Sequence, residues 1–235
     1  AAKENIALAR KFNHAYTLAD VLAYSGCQLS RLHRDDQTLL ELAEEFIRLS
    51  EEKGFIGWLG SATCYKGEAL IMVGRTAEGI RVLEEGIATY LRLGTLLHLT
   101  EIFSILAMGY ASLNNTKEAW SILNRSFEFM EKSGERHWEP EIRRIKAGFH
   151  LTQGEYDMAE AELTKSVDLA RKSGAHSWEL RAATDLAQLW KRQGRLDEAR
   201  QFLSEVYSWF SEGFDTPDLV NAKGLLDSLQ FNRFG

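Results

Sequence analysis

Proline is nearly missing: two of 235 residues, Pro140 and Pro217. Because proline removes an amide donor and clashes inside a helix, this scarcity predicts a chain built almost wholly of helix. Cysteine is as sparse. Cys27 and Cys64 lack Cys-x-x-Cys spacing and sit in apolar helical patterns, as reduced, packed thiols of a cytosolic protein do. There is no positive excess either. The 28 basic residues face 34 acidic ones for a net charge of −6, and residues 55–94, 95–134 and 135–174 each lie within one charge of neutral. That excludes the electrostatic footprint of nonspecific nucleic-acid binding. Apolar runs fall well short of the ~20 residues a membrane helix needs. The start, Ala-Ala-Lys-Glu-Asn, has neither a hydrophobic signal core nor an initiator Met. The chain reads as soluble and cytoplasmic, without membrane contact, and as a segment of something longer.

Signatures of chemistry are also absent. No Gly-x-x-x-x-Gly-Lys, Gly-x-Gly-x-x-Gly or Gly-x-Ser-x-Gly occurs, so neither a phosphate cradle nor a nucleophile elbow is encoded by motif. His14, His33, His98, His137, His150 and His176 never pair at i,i+4 or join a cysteine pair. No metal site, cofactor or catalytic residue is therefore expected. Acidic residues such as Glu41, Glu44, Glu45, Glu160 and Glu162 interleave with basic ones, as on a solvated helix face. The segment reads as no enzyme.

What the chain does have is a repeat. Gly54, Gly94, Gly134 and Gly174 are spaced by 40, with Gly213 one residue early, and Gly74, Asn114, Gly154 and Gly194 form a second series of 40. Gly and Asn are the residues that readily enter the left-handed conformation ending a helix, so each unit has two helix stops. With 45% hydrophobic residues, at helical spacing as in Ala159, Leu163, Val167 and Ala170, each unit becomes a hairpin of two helices. The predicted hairpins cover about residues 4–54, 55–94, 95–134, 135–174 and 175–213, followed by a capping helix over 216–229. Thr76, Thr116, Asp157 and Asp197 follow the stops and are expected to cap the next helix. Thr216-Pro217-Asp218 is the strongest start signal.

Small residues fall in register. Cys27, Gly67, Ala107, Ala147 and Ala187 recur in the first helix of each unit. Twelve residues on come Leu39, Gly79, Ala119, Ala159 and Ala199, and four further on Leu83, Leu123, Leu163 and Leu203. This spacing resembles the tetratricopeptide repeat, with a unit of 40 rather than 34 residues and no closing Pro. HEAT-like repeats share the period but have no counterpart to the twelve-residue offset. The expectation is one all-α domain over 1–235, a right-handed α-solenoid of five tetratricopeptide-like hairpins with a C-terminal cap. Trp58, Trp138 and Trp178, with His98 in their place in the third unit, stand four residues after a stop. They are read as packing on the preceding hairpin rather than as a ligand ladder.

In such an array the first helices line the concave side. The groove positions map to Tyr24, Gln28 and Arg31, then Tyr65 and Glu68, then Glu101 and Ser104, then Glu141 and Arg144, then Arg181, Asp185 and Gln188. Their mixture of tyrosine, arginine and acid would suit a polar peptide or protein segment; an ordinary wet surface is the other reading. As surface groups, Arg144 and Arg181 are expected to tolerate charge reversal without loss of folding.

Three stretches carry a narrower resemblance: Ser133–Ala147 (SGERHWEPEIRRIKA), Ser173–Ala187 (SGAHSWELRAATDLA) and Trp209–Leu219 (WFSEGFDTPDL). Together with His14-Ala15-Tyr16-Thr17-Leu18-Ala19, they resemble the C-terminal tetratricopeptide region of bacterial multidomain signalling proteins. Those proteins carry a class III adenylate or guanylate cyclase domain, then a STAND-type ATPase domain, then these repeats. The resemblance spans the whole chain. It implies a sensor or scaffold arm whose engagement by a protein or peptide partner, or by a small effector, regulates upstream domains of the same polypeptide. The alternative is a small-ligand sensor like the helical-repeat sensor of the maltose-regulon transcription activator, which a ligand-sized apolar pocket would favour over a flat polar trough.

Overall fold

The computed structural model describes residues 2–96 and 98–231. Among them every regular element is helical. The chain divides into two compact units, Ala1–Glu135 and Arg136–Gly235, each described by itself.

The first unit begins with α1 (Ala2–Lys11), then a rod made of α2 (Ala15–Val21), a π-helical segment (Leu22–Cys27) and α3 (Gln28–Leu32), which pairs with α4 (Asp36–Lys53). Two hairpins follow: α5 (Ile56–Met72) with α6 (Thr76–Arg92), and α7 (Leu99–Ser112) with α8 (Thr116–Ser133). The second unit holds α9 (Glu139–Thr152) with α10 (Tyr156–Ser173), α11 (His176–Arg192) with α12 (Leu196–Tyr207), and α13 (Pro217–Phe231), which packs on both α11 and α12. Hairpin boundaries and the capping helix match the period of 40. The leading rod is more broken than the pattern predicts.

The stops work as the spacing implies. Gly54, Gly74, Gly94, Gly134, Gly154, Gly174, Gly194 and Gly213 all have positive φ, and Asn114 takes the same conformation at φ 60°. Arg34, at φ 54°, occupies the corresponding position of the first hairpin, where the glycine and asparagine series has no member. At the turns inside the hairpins, the amide of the residue after the left-handed one donates back to a carbonyl five residues earlier. Asp35 to Ser30 (2.9 Å), Arg75 to Leu70 (2.8 Å), Asn115 to Tyr110 (3.0 Å), Glu155 to His150 (3.0 Å) and Arg195 to Trp190 (2.9 Å) are the same bond at intervals of 40.

The predicted caps need correction. Thr76 and Thr116 are the first helical residues, and Asp157 and Asp197 lie within the first turn. The capping residues are Arg75, Asn115, Glu155 and Arg195, one residue before the threonines and two before the aspartates, and the Asn115 side chain accepts from the Glu118 amide. Thr216 stands directly before α13, as the Thr-Pro-Asp signal predicts; its carbonyl accepts from the Val220 amide at 2.9 Å and its hydroxyl donates to the Gly213 carbonyl at 2.7 Å. In the first unit, the His14 side chain caps α2 by accepting from Thr17 N.

The small-residue register is the packing core. Cys27, Ala107, Ala147, Ala187, Ala159 and Ala199 are wholly buried, as are Leu39, Leu83, Leu123 and Leu203. In the second hairpin contact is backbone to backbone. A Cβ on Gly67 would lie 2.6 Å from the Leu83 amide nitrogen, and one on Gly79 2.7 Å from the Gly67 carbonyl oxygen. A second signal shares the period: Ser126 donates to the Thr100 carbonyl (2.5 Å) and Ser166 to the Pro140 carbonyl (2.6 Å), both buried. Each ties the second helix of a hairpin to the first turn of its partner. The tryptophans pack between elements, Trp58 against Phe46 at 5.7 Å and Trp138 edge-on to Trp178 at 4.9 Å between ring centroids. The two cysteines are buried and unbridged. No described helix is long and apolar enough to cross a membrane.

Gly67→Ala and Ala187→Leu should each lower unfolding free energy by about 1–3 kcal/mol, because added volume meets backbone rather than space. Gly57→Ala, where nothing lies within 4 Å of the new Cβ, is the helical control. Denaturant unfolding checks all three, and equal midpoints for Gly67→Ala and Gly57→Ala would contradict the close approach.

Candidate functional site

The groove residues named from the sequence fall into two groups by burial. Arg31, Glu68, Glu101, Ser104, Glu141 and Arg181 are buried, while Gln28, Tyr65, Arg144, Asp185 and Gln188 are half-buried and Tyr24 is exposed. The buried ones are internal to the repeats. Ser104 donates its hydroxyl to the Glu101 carbonyl at 2.6 Å.

In the second unit the charges form a ladder across first helices. Arg181 of α11 reaches Asp218 of α13 at 2.6 Å and lies 4.0 Å from Glu141 of α9. Glu141 pairs with Arg144 at 2.7 Å, and Arg144 spans back to Asp185 of α11 at 2.8 Å. Reversing Arg181 would set a carboxylate against Glu141 and Asp218 in a dry site. The expectation that it tolerates reversal is therefore corrected.

The first unit carries a similar ladder. Arg31 of α3 donates to Glu101 of α7 at 2.8 Å and pairs with Glu68 of α5 at 2.7 Å, so one guanidinium ties together three successive hairpins. Its carbon lies 4.7 Å from the Tyr65 ring centroid, and Gln28 accepts from both Arg31 and Tyr65. Burial would raise the Glu101 carboxyl, but Arg31 and His98 outweigh it and hold it down at about 2. For Glu68 burial wins against Arg31, pushing it up to about 7. His98 is raised by its hydrogen bond to Glu101.

Above this ladder lies a cavity of about 350 Å³, within the range of small-ligand pockets. Tyr24, Arg31, Tyr65 and Glu101 line it, which brings four of the named residues together. Sequence reasoning missed Tyr16, Phe55, Trp58, Ser61, Tyr90 and His98 as cavity residues. The rings form an edge-to-face array: Tyr16 lies 5.6 Å from Phe55 and 5.7 Å from Trp58, and Tyr24 lies 6.3 Å from Trp58. Tyr16 and Tyr24 remain about half exposed at the mouth. Ser61 and Tyr90 share a 2.7 Å hydroxyl contact in the wall, and the Trp58 indole nitrogen is buried without a hydrogen-bond partner among the described residues. The π segment supplies Ala23 and Tyr24, and π turns inside helices frequently accompany functional sites. Trp58 thus packs and lines a cavity at once. Aromatic density gave no signal, since Tyr16, Tyr24, Phe46, Phe55, Trp58 and Tyr65 are six in 50 residues against 11% over the whole chain.

Residues 141–209 match the family model for the tetratricopeptide repeat. No curated protein matches the chain. Among solved structures it is similar to the apo form of RapI, with 11% identity and a TM-score of 0.67 over 97% of this chain and 76% of that one. A Pyrococcus horikoshii STAND protein with a tetratricopeptide-repeat sensor gives 11% identity and a TM-score of 0.65. That match covers 99% of this chain and 37% of the other. A Rap protein complexed with Competence and Sporulation Factor gives 12% identity and a TM-score of 0.56 over 93% and 63%. At these identities the likeness is one of fold: an all-α helical repeat of the tetratricopeptide type.

Two outcomes test the ladders. Arg181→Glu should destabilise the chain by about 3–5 kcal/mol through the uncompensated carboxylates, read by denaturant unfolding. A carboxyl raised from 4.5 to about 7 on folding favours the folded state when protonated, so Glu68 loses its contribution as pH climbs through that window. Glu101, lowered to about 2, loses its own only as pH falls below 4.5. Glu68→Gln should therefore flatten the fall in thermal midpoint between about pH 4.5 and about pH 7, leaving the acid limb intact.

Proposed function

We propose that this chain is a non-enzymatic, cytoplasmic sensor module whose first unit receives an effector in the aromatic cavity. The observation that carries this reading is the cavity itself: a ligand-sized recess with six aromatic rings and a few convergent polar groups in its walls, seated on the buried Arg31–Glu68–Glu101 ladder. An occupant contacting α2, α5 and α7 together would favour one arrangement of three hairpins over others, and differential affinity of that kind is what biases an attached domain. The one-domain reading of residues 1–235, and regulation of an ATPase or cyclase upstream in the same polypeptide, belong to this proposal. The similarity to a STAND protein with a repeat sensor supports the ATPase part of this reading.

A second reading, binding of a protein or peptide segment along the first-helix face, is favoured by the exposed Tyr16 and Tyr24 at the cavity mouth. The similarity to a Rap protein in complex with Competence and Sporulation Factor also supports it. The two converge if a partner anchors one side chain in the cavity.

Gly57 lines the cavity with open space at its Cβ, so Gly57→Trp plugs the site without disturbing packing. Equilibrium dialysis against cytoplasmic extract, read by mass spectrometry, should enrich a low-mass compound or peptide with the native chain and not with Gly57→Trp. Equal enrichment by both chains would remove the cavity from the mechanism.

A further inference from the structure

Resting on the effector reading above, we propose that the cavity of the first unit takes a small, uncharged, ring-bearing molecule with one hydrogen-bond acceptor, which receives the spare hydroxyl proton of the Ser61–Tyr90 pair. Ser61 of α5 and Tyr90 of α6 both line the cavity.

The charges of the lining exclude a charged occupant, because each already faces its opposite. Arg31, His98 and Glu101 are the charged or chargeable side chains of the described lining. Arg31 meets Glu101 at 2.8 Å, and at 2.7 Å it meets Glu68, which does not line the cavity. His98 Nδ1 lies 3.5 Å from the same Glu101. An ammonium or carboxylate entering here would give up its hydration and find its natural counter-charge engaged by the protein, whereas an uncharged molecule meets no such penalty. The rest of the wall suits an apolar body. Tyr16 and Tyr24 stand edge-on to Trp58, and a flat ring set among them extends the same array.

The hydroxyls supply the polar contact. Ser61 Oγ and Tyr90 Oη lie 2.7 Å apart, and each carries one proton. The bond between them uses one. Whichever group donates, the other's proton has no acceptor among the described residues. Thr63, two residues on in α5, shows the ordinary alternative by donating to the Leu59 carbonyl four residues back at 2.7 Å, a bond that Ser61 does not make. The Tyr65 hydroxyl is likewise spent, donating to Gln28 at 3.1 Å. Burial pushes the Tyr90 hydroxyl up to about 12 against the opposing hydrogen bond from Ser61, so the pair keeps both protons near neutrality. A half-buried donor without an acceptor is costly, and a ligand acceptor placed beside it removes that cost.

The test is equilibrium dialysis of the full chain near neutral pH against four naphthalenes of one shape. The probes are 2-acetylnaphthalene, its isostere 2-isopropenylnaphthalene with a methylene in place of the oxygen, 2-naphthoate and 2-naphthylmethylammonium. We expect the acetyl compound to bind about tenfold or more tightly than either charged probe. In Ser61→Ala/Tyr90→Phe the ratio of acetyl to isopropenyl affinity should drop about fivefold. Replacing both members of a hydrogen-bonded pair by apolar groups of the same shape is nearly neutral for folding, so this variant remains a fair host. Gly57→Trp should bind none of the four. A charged probe that binds as tightly as the acetyl compound would overturn the uncharged assignment while leaving the effector cavity standing. An unchanged ratio in the double variant would overturn the role of the hydroxyls. No binding by any probe overturns the assignment as well, and the dialysis against extract then decides separately whether the cavity binds anything.

Discussion

The distance between the two helices of a hairpin governs the rest of this structure. Where Gly67 faces Leu83 and Gly79 faces the Gly67 carbonyl, the backbones touch and no side chain intervenes. The alanines at 147, 159, 187 and 199 set a nearly equal limit in the second unit. A fixed separation lets a leucine twelve to sixteen residues on fill the space beside it, and lets a serine hydroxyl reach a carbonyl on the neighbouring helix. Repeat architectures propagate such local rules because each hairpin contacts only its neighbours. Forty residues is the length needed to return to the same contact.

Charge plays a different part. Buried ion pairs contribute little net stability, since each group gives up its hydration. Their value lies in permitting few alternatives. Arg31 can satisfy Glu68 and Glu101 together only if three hairpins stand at one offset, and Arg181 imposes a similar condition on Glu141 and Asp218. In the first unit this geometric demand coincides with an aromatic recess, so Arg31 and Glu101, which align the hairpins, also line that cavity.

Much of the fold was legible because it rests on local chemistry that repeats. Glycine or asparagine after a helix, joined to small residues at matched intervals of 40, is a pattern that hairpins of closely packed helices require and few other folds produce. Arg34 escaped because nothing in arginine advertises a left-handed turn, and only its register with Gly74 and Asn114 could have revealed it. The caps fall one residue before the threonines and two before the aspartates named from sequence, because three of the four positions are held by arginine or glutamate, which carry no capping signal; the fourth, Asn115, stood beside Thr116 and was passed over. The site was legible in part. Projection onto first helices found Tyr24, Arg31, Tyr65 and Glu101, but helical position alone does not distinguish a side chain facing solvent from one facing the next hairpin's opposite charge. Tyr16, Trp58 and Tyr90 come from three elements whose meeting depends on tertiary packing, which no spacing rule encodes.

The widened turn between Leu22 and Cys27 has a geometric consequence. There the Gln28 amide reaches back five residues to Ala23 instead of four. Such a turn carries one residue more than ordinary winding, so it rotates everything before it about the rod's axis relative to everything after it. Tyr16 and Arg31 stand on opposite sides of that step, and both reach the same cavity.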